Sequence, residues 1–295
     1  MVTGMTCTMG NKKLLILLGP TAVGKTDMSL SLAQQYDSPI ISCDSRQLYK
    51  EMSIGTAVPS QEQLSQVKHY FIQDHSIFDL YTAGKYEIEA LALIEKLFEQ
   101  GHDTLVMTGG SGFYIDAVCN GLDDFPPADL TLRAQLTERL AKEGVESLRM
   151  ELKSLDPLSY EQVDIANGQR VVRALEVCLM TGRPFSSFKT HPDKKRPFEI
   201  EKRGLARPRE VLYERINQRV LQMIDEGLME EVRALSPHRQ LTALQTVGYK
   251  ELFPVLDGEY SLERGIELVQ RNTRHYAKRQ MTWWGRDKSI IWQEI

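Results

Sequence analysis

The densest chemical signal in the chain is the stretch Gly19-Pro20-Thr21-Ala22-Val23-Gly24-Lys25-Thr26. It satisfies the spacing G-x-x-x-x-G-K-[ST] of a phosphate-binding loop. Glycines in such a loop let backbone N–H groups curl around phosphate oxygens, and the helix that follows adds partial positive charge. Lys25 supplies a point charge for the terminal phosphates, and the Thr26 hydroxyl is placed to ligate Mg²⁺. The pattern predicts a protein that binds a di- or triphosphate. The plain alternative is a chance glycine turn, and the flanks argue against it. Leu14-Leu15-Ile16-Leu17-Leu18 precedes the loop as a short apolar run of buried-strand type. Met28, Leu30, Leu32 and Ala33 follow it at helical spacing. Strand, loop and helix in that order are the setting the loop needs.

Two further groups belong at the same end of a doubly wound sheet, where active sites lie. Asp44 closes a second strand, Pro39-Ile40-Ile41-Ser42-Cys43-Asp44. A carboxylate there can act as a general base or as an outer-sphere partner of Mg²⁺; the structural alternative is a cap on the next helix. Gly109-Gly110-Ser111-Gly112 follows a third strand, Thr104 to Thr108. Its glycines allow a ligand to approach the backbone, or simply make a tight turn. One absence is informative. Many P-loop NTPases end a strand in an aspartate that helps hold Mg²⁺, whereas here that strand ends in Thr108-Gly109-Gly110. This favours a group transferase over an ATPase or GTPase.

The elements that position these groups follow from periodicity. Thr82 to Gln100 carries Ile88, Leu91, Ile94, Leu97 and Phe98 at helical spacing and stops at Gly101. Gln61 to Tyr70 reads as helix or turn, and Phe113 to Cys119 as a short helix. Strands alternating with helices predict a parallel sheet flanked by helices, a P-loop NTPase-like α/β fold. Composition changes at Asn120-Gly121 and at Pro126-Pro127. Helices follow to about Gly182, with stops near Gly144, Asp156-Pro157 and Asn167-Gly168. The expected organisation is a catalytic core of residues 1–121 and 197–295 with a small all-helical insertion at 122–196. Phe198 to Leu205 reads as one more strand; Glu210 to Gly227, Glu230 to Leu235 and Gly265 to Trp284 read as a helical C-terminal part.

Composition sets the outer bounds. The 295 residues are 42% hydrophobic and 26% charged, ordinary for a globular protein. No apolar run approaches the ~20 residues of a membrane helix. Met1 to Asn11 lacks the apolar run of a signal peptide. Cys7, Cys43, Cys119 and Cys178 are widely spaced, which predicts a reducing cytoplasm and neither a zinc site nor a disulfide framework. The absence of a sustained heptad pattern predicts a monomer. The net charge of −4 argues against a nucleic-acid partner, but the distribution argues for one: Arg170 to Arg219 holds 13 Lys/Arg against 6 Asp/Glu. Arg271, Arg274, His275, Lys278, Arg279 and Arg286 form a second basic run. Solvated helix faces are the alternative.

Beyond these readings, the chain resembles the tRNA dimethylallyltransferase (tRNA isopentenyltransferase) family. The resemblance lies in Gly19 to Thr26, in Ile41-Ser42-Cys43-Asp44-Ser45-Arg46-Gln47-Leu48-Tyr49, and in Ile54-Gly55-Thr56-Ala57. It continues through Gly109-Gly110-Ser111-Gly112-Phe113-Tyr114 and Gln169-Arg170-Val171-Val172-Arg173-Ala174-Leu175-Glu176. Leu212 to Arg219, Val247-Gly248-Tyr249-Lys250-Glu251 and Tyr276 to Trp283 complete it, in the family's order. Ser111 stands where the family has Thr, Phe113 where it has Leu, and Trp284-Gly285-Arg286 replaces Phe-Arg. The chain is similar to the short bacterial form.

The resemblance implies transfer of a dimethylallyl group from dimethylallyl diphosphate to N6 of the adenosine 3′ of the anticodon in tRNA. It implies that Thr21 to Thr26 hold the diphosphate with Mg²⁺, that Asp44 takes the amine proton, and that Arg215 or Arg219 neutralises the leaving group. Implied tRNA contacts are Asp44, Ser45, Arg46, Gln47 and Ser111, then Arg133, Gln169, Arg170, Val171, Val172 and Arg173 on the insertion. Arg170 and Arg173 share a helix face, and ion pairing with Glu176 is their structural alternative. Trp283 and Trp284 serve base stacking or core packing. The rival readings are a free-adenylate isopentenyltransferase, a small-molecule P-loop kinase and an RNA-binding nucleotide switch without chemistry.

Overall fold

A computed structural model describes residues 12–190 and 194–295. Met1 to Asn11, with Cys7 and the reading that no signal peptide is present, lie outside the described residues, as do residues 191–193. The described chain divides into two compact units, residues 12–119 with 195–295 and residues 120–190 with 194.

The first unit is built on a parallel sheet. Its strands are β1 (Lys13–Leu18), β2 (Ile40–Ser42), β3 (His69–Tyr70), β4 (Thr104–Gly109), β5 (Glu199–Ala206) and β6 (Ile291–Glu294), in the order β3-β2-β4-β1-β5-β6. Every pair is parallel, with Leu14 opposite Leu105 and Ile200. A parallel sheet is covered on both faces, so its central strands are apolar throughout. β1 shows the consequence. Leu14, Ile16 and Leu18 enter one core with Ile41, Leu105 and Met107, while Leu15 and Leu17 enter another with Val106 and Leu205. The helices here are α1 (Lys25–Gln35), α2 (Gln61–Gln66), α3 (Ala83–Glu99) and α4 (Gly112–Asn120).

Among the described residues the second unit holds the α-helices α5 (Leu130–Glu143), α6 (Val145–Leu155), α7 (Pro157–Gln162) and α8 (Gly168–Thr181). Leu136, Leu148, Leu152, Val171, Val172 and Leu175 make its core. The stops work as their chemistry demands. Asp156 caps α7 by accepting the Ser159 N–H with Pro157 at the first position, and Asn167 caps α8 by accepting the Arg170 N–H.

The chain then returns to the first unit with α9 (Arg209–Asp225), α10 (Leu228–Leu235), α11 (Phe253–Leu256) and α12 (Leu262–Trp284). The α/β fold with a parallel sheet flanked by helices is therefore as the sequence predicts. β3 and β6 are additions: one is two residues long, the other is exposed at every position, and neither has an apolar pattern. Among the described residues no helix is long and apolar enough to cross a membrane.

Candidate active site

The phosphate loop links β1 to α1. Gly24, the N-cap of α1, sits at φ 111, a conformation a side chain would strain, and Ala22 is left-handed at φ 64. The Lys25 ammonium folds back onto the Gly19 and Pro20 carbonyls at 2.8 and 3.0 Å. Burial lowers its pKa to about 8, against the pull of the Asp44 charge.

Three arginines brace the loop from behind. Arg207 Nε donates to the Val23 carbonyl (2.8 Å), Arg215 Nε to the Ala22 carbonyl (2.9 Å), and Arg219 Nη1 to the Thr21 hydroxyl (3.2 Å). The two sequence candidates on α9 thus differ. Arg215 is exposed, bonds backbone and borders one cavity only; Arg219 is half-buried and borders two. Burial draws the pKa of Arg219 down, and the Asp44 carboxylate draws it up. From α12, Gln280 accepts the Thr21 N–H (3.0 Å) and donates to the Gly110 carbonyl (2.8 Å). One buried amide therefore ties the phosphate loop to the glycines after β4.

Asp44 follows β2. Its Oδ1 accepts the N–H groups of Arg46 (2.8 Å) and Gln47 (3.3 Å), and since no helix starts between Asp44 and α2 these bonds close a turn and do not cap a helix. Both bonds fall on one oxygen of the carboxylate. The segment is fixed from the β4 side too: the Ser111 hydroxyl accepts the Ser45 N–H (2.9 Å) and donates to the Ser45 hydroxyl (3.0 Å). Gln47 spends its amide on the Thr56 and Ala57 carbonyls, at 3.1 and 2.8 Å.

Two adjoining cavities meet at these residues. A broad cleft is bordered by Gly24, Lys25, Thr26, Gln47, Thr108 and Arg215. A smaller, mainly apolar chamber is bordered by Ile216, Val220, Val247 and Val269, with Arg46, Thr246 and Thr273 also on its wall. Thr21, Asp44, Thr56, Arg219, Met223 and Tyr276 border both. The arrangement places one carboxylate and one guanidinium where a phosphate cradle adjoins an apolar chamber. Such a site suits an anionic leaving group joined to a short hydrocarbon.

The residues expected on the insertion are not equivalent. Gln169 and Arg170 are exposed near the start of α8, and Arg170 comes no nearer than 3.9 Å to Asp164. Arg173 and Arg133 instead close on buried Glu176, at 3.0 and 2.6 Å. Arg173 also donates to the Pro126 carbonyl. Val171 and Val172 are buried in the helical core, which corrects any expectation that their side chains meet a ligand. Arg271, His275, Lys278 and Arg279 form an exposed stripe on α12. Trp284 is a core residue, while half-buried Trp283 donates to Asp116 (2.9 Å). Gln280 lay inside a block noted in the sequence but carried no role there. A glutamine on a buried helix face is its only signal.

Comparison with known proteins fits this geometry. The sequence model of the family described as IPP transferase matches residues 47–287. The chain belongs to the IPP transferase family. Among its relatives is tRNA dimethylallyltransferase 1 of Bacteroides fragilis (strain YCH46), 50% identical over 284 residues that cover 96% of this chain and 94% of that protein. The crystal structure of the full-length tRNA isopentenylpyrophosphate transferase from Bacillus halodurans is 34% identical at a TM-score of 0.69, covering 96% of this chain and 90% of that one. A eukaryotic dimethylallyltransferase, described as acting on tRNA, aligns at a TM-score of 0.80 with 25% identity, over 96% of this chain and 74% of its own. IPP transferases are prenyltransferases, and the resemblance read from the sequence blocks is borne out.

Proposed function

We propose that this prenyltransferase moves a dimethylallyl group from dimethylallyl diphosphate to N6 of the adenosine 3′ of the anticodon in tRNA. The observation that carries the reading is that Asp44 and Arg219 border both the phosphate-loop cleft and the apolar chamber. A diphosphate fits the loop, and a five-carbon tail fits an apolar wall. The names of the relatives supply tRNA as the acceptor.

In the reaction the bond from C1 of the dimethylallyl group to the diphosphate oxygen breaks, and its electron pair leaves with the diphosphate. The N6 lone pair forms the new bond to C1. An exocyclic amine is a weak nucleophile, so a carboxylate that accepts its proton as the bond forms lowers the barrier. Asp44 takes that role, with Oδ1 anchored by two backbone N–H groups. Lys25 and Arg219 offset the charge that develops on the leaving diphosphate. Lys25 must turn from the loop carbonyls it now bonds to do so.

Mg²⁺ fits the residues present. Among the described residues no three His, Cys, Asp or Glu side chains form a metal cluster. Mg²⁺ needs no such cage, since it keeps waters and binds substrate phosphates with one or two protein groups. The Thr26 hydroxyl is the group that would hold it, and the ion's charge would further offset that of the diphosphate.

The target base has to leave its stack, at a cost of a few kcal/mol. The N–H groups of Arg46 and Gln47 hold the carboxylate it must reach, and Ser111 holds the adjacent Ser45. Arg170, Gln169 and the basic stripe on α12 are free to meet phosphates and bases of the RNA. The test is transfer of label from dimethylallyl diphosphate with unmodified tRNA, AMP or ATP as acceptor. Label in tRNA alone is expected. Label in AMP would point to a free-nucleotide enzyme, and phosphorylation of another substrate with no prenyl transfer would point to a kinase.

A further inference from the structure

The wall of the apolar chamber is held by one carboxylate. Glu231 on α10 accepts backbone N–H bonds from three consecutive residues: Ser53 (2.9 Å), Ile54 (2.8 Å) and Gly55 (2.9 Å). It also accepts the Tyr249 hydroxyl at 2.6 Å. Successive N–H groups that converge on an anion make a concave nest, and bonds to a charged acceptor are about twice as strong as neutral ones. Tyr249 is fully buried; burial first, and the Glu231 charge second, raise its pKa and keep it a donor. Its ring stands where a Cβ on residue 55 would lie, 2.6 Å from that position. Only glycine lets the segment come close enough to be held.

The pair joins two stretches of chain that face the same space. Gly55 and Thr56 line the chamber from one, Val247 and Gly248 from the other. Glu251 extends the connection: it accepts the Gly248 N–H (2.8 Å) and the Asn272 amide (2.8 Å) on α12, whose Val269 also lines the chamber. Neither Glu231 nor Tyr249 borders either cavity, so both act through the wall.

We propose that Glu231 and Tyr249 are positioning residues that fix the depth of the chamber and thereby limit the length of the prenyl chain. The inference rests on reading the chamber as the place of the dimethylallyl tail. An apolar pocket separates substrates by about 10- to 200-fold per methylene. A wall tied by four bonds to one carboxylate rejects a ten-carbon chain by overlap; a loosened wall gives way.

The test compares kcat/KM for dimethylallyl and geranyl diphosphate with the same tRNA. Tyr249→Phe keeps the ring against Gly55 and removes only the hydroxyl. The ratio favouring the five-carbon donor is expected to fall about tenfold in Tyr249→Phe, with KM for tRNA unchanged. Glu231→Gln removes the charge and turns an NH2 toward one or two of the three N–H donors, and should lower the ratio further. An unchanged ratio in both variants overturns the proposal. So does an equal loss with both donors alongside a lower melting temperature, which is what a merely structural role predicts. Should Glu231→Gln fail to fold, Tyr249→Phe decides alone. If the wild-type protein transfers no dimethylallyl group, the functional reading fails and this inference falls with it; active wild type with unaltered selectivity in the variants removes the inference alone.

Discussion

At the scale of the residue, the chemistry turns on how charges are kept apart or together. Lys25 is half-buried near Arg219 and Asp44, and its pKa is drawn down to about 8. A bound diphosphate brings negative charge and raises that value again. In the free enzyme Lys25 is fully charged well below pH 8 and loses its proton as the pH rises through that value. The complex keeps the proton. Diphosphate affinity is therefore expected to be full on the acid side and to fall by up to about tenfold per unit above it. Calorimetric titration at pH 8 to 9 in buffers of different ionisation heat should show proton uptake. Affinity flat from pH 7 to 10 would contradict the shifted lysine.

At the scale of the element, α8 separates two arginines three positions apart. Arg173 neutralises Glu176, whose side chain is fully buried, while Arg170 reaches solvent. Arg173→Ala is expected to lower stability by about 1–3 kcal/mol, because a buried carboxylate loses a partner while Arg133 remains. Arg170→Ala should leave thermal unfolding unchanged and weaken tRNA binding, with a salt slope lower by about one. Melting curves and salt-dependent binding of the two variants check this. Equal effects in both assays would refute the division.

Much of this level was legible in the sequence. The glycine loop, the apolar β1 run, Gly144, Asp156-Pro157 and Asn167 announce their structures through local chemistry: positive φ, burial, capping. Asp44 was legible as a strand-end carboxylate. Gln280, Arg207, Glu231 and Tyr249 were not, since their roles rest on bonds to residues more than a hundred positions away or on partners no period reveals. The division of Arg170 from Arg173 was equally hidden, because spacing puts both on one helix face and only the position of Glu176 parts them.

At the scale of the whole molecule, the second unit begins and ends at one place. The Lys194 N–H donates to the Asn120 carbonyl at 3.0 Å. Replacing residues 121–193 by a short Gly/Ser linker should therefore leave the sheet and phosphate loop folded. Diphosphate binding is expected to persist, while tRNA affinity falls at least tenfold, in line with the loss of several basic contacts. Retained tRNA affinity would place RNA recognition on the first unit, with the α12 stripe as its basic surface.

The central claim is that Asp44 performs the proton transfer in a site that binds both substrates without it. The measurement that tests it is single-turnover prenyl transfer by Asp44→Asn, with diphosphate and tRNA affinities determined on the same protein. The amide keeps an oxygen for the Arg46 and Gln47 N–H groups, so the loop retains its shape. The account predicts unchanged affinities and a rate lower by about 10²- to 10⁴-fold. A rate near that of the wild type would contradict it and leave Asp44 only the task of holding its turn.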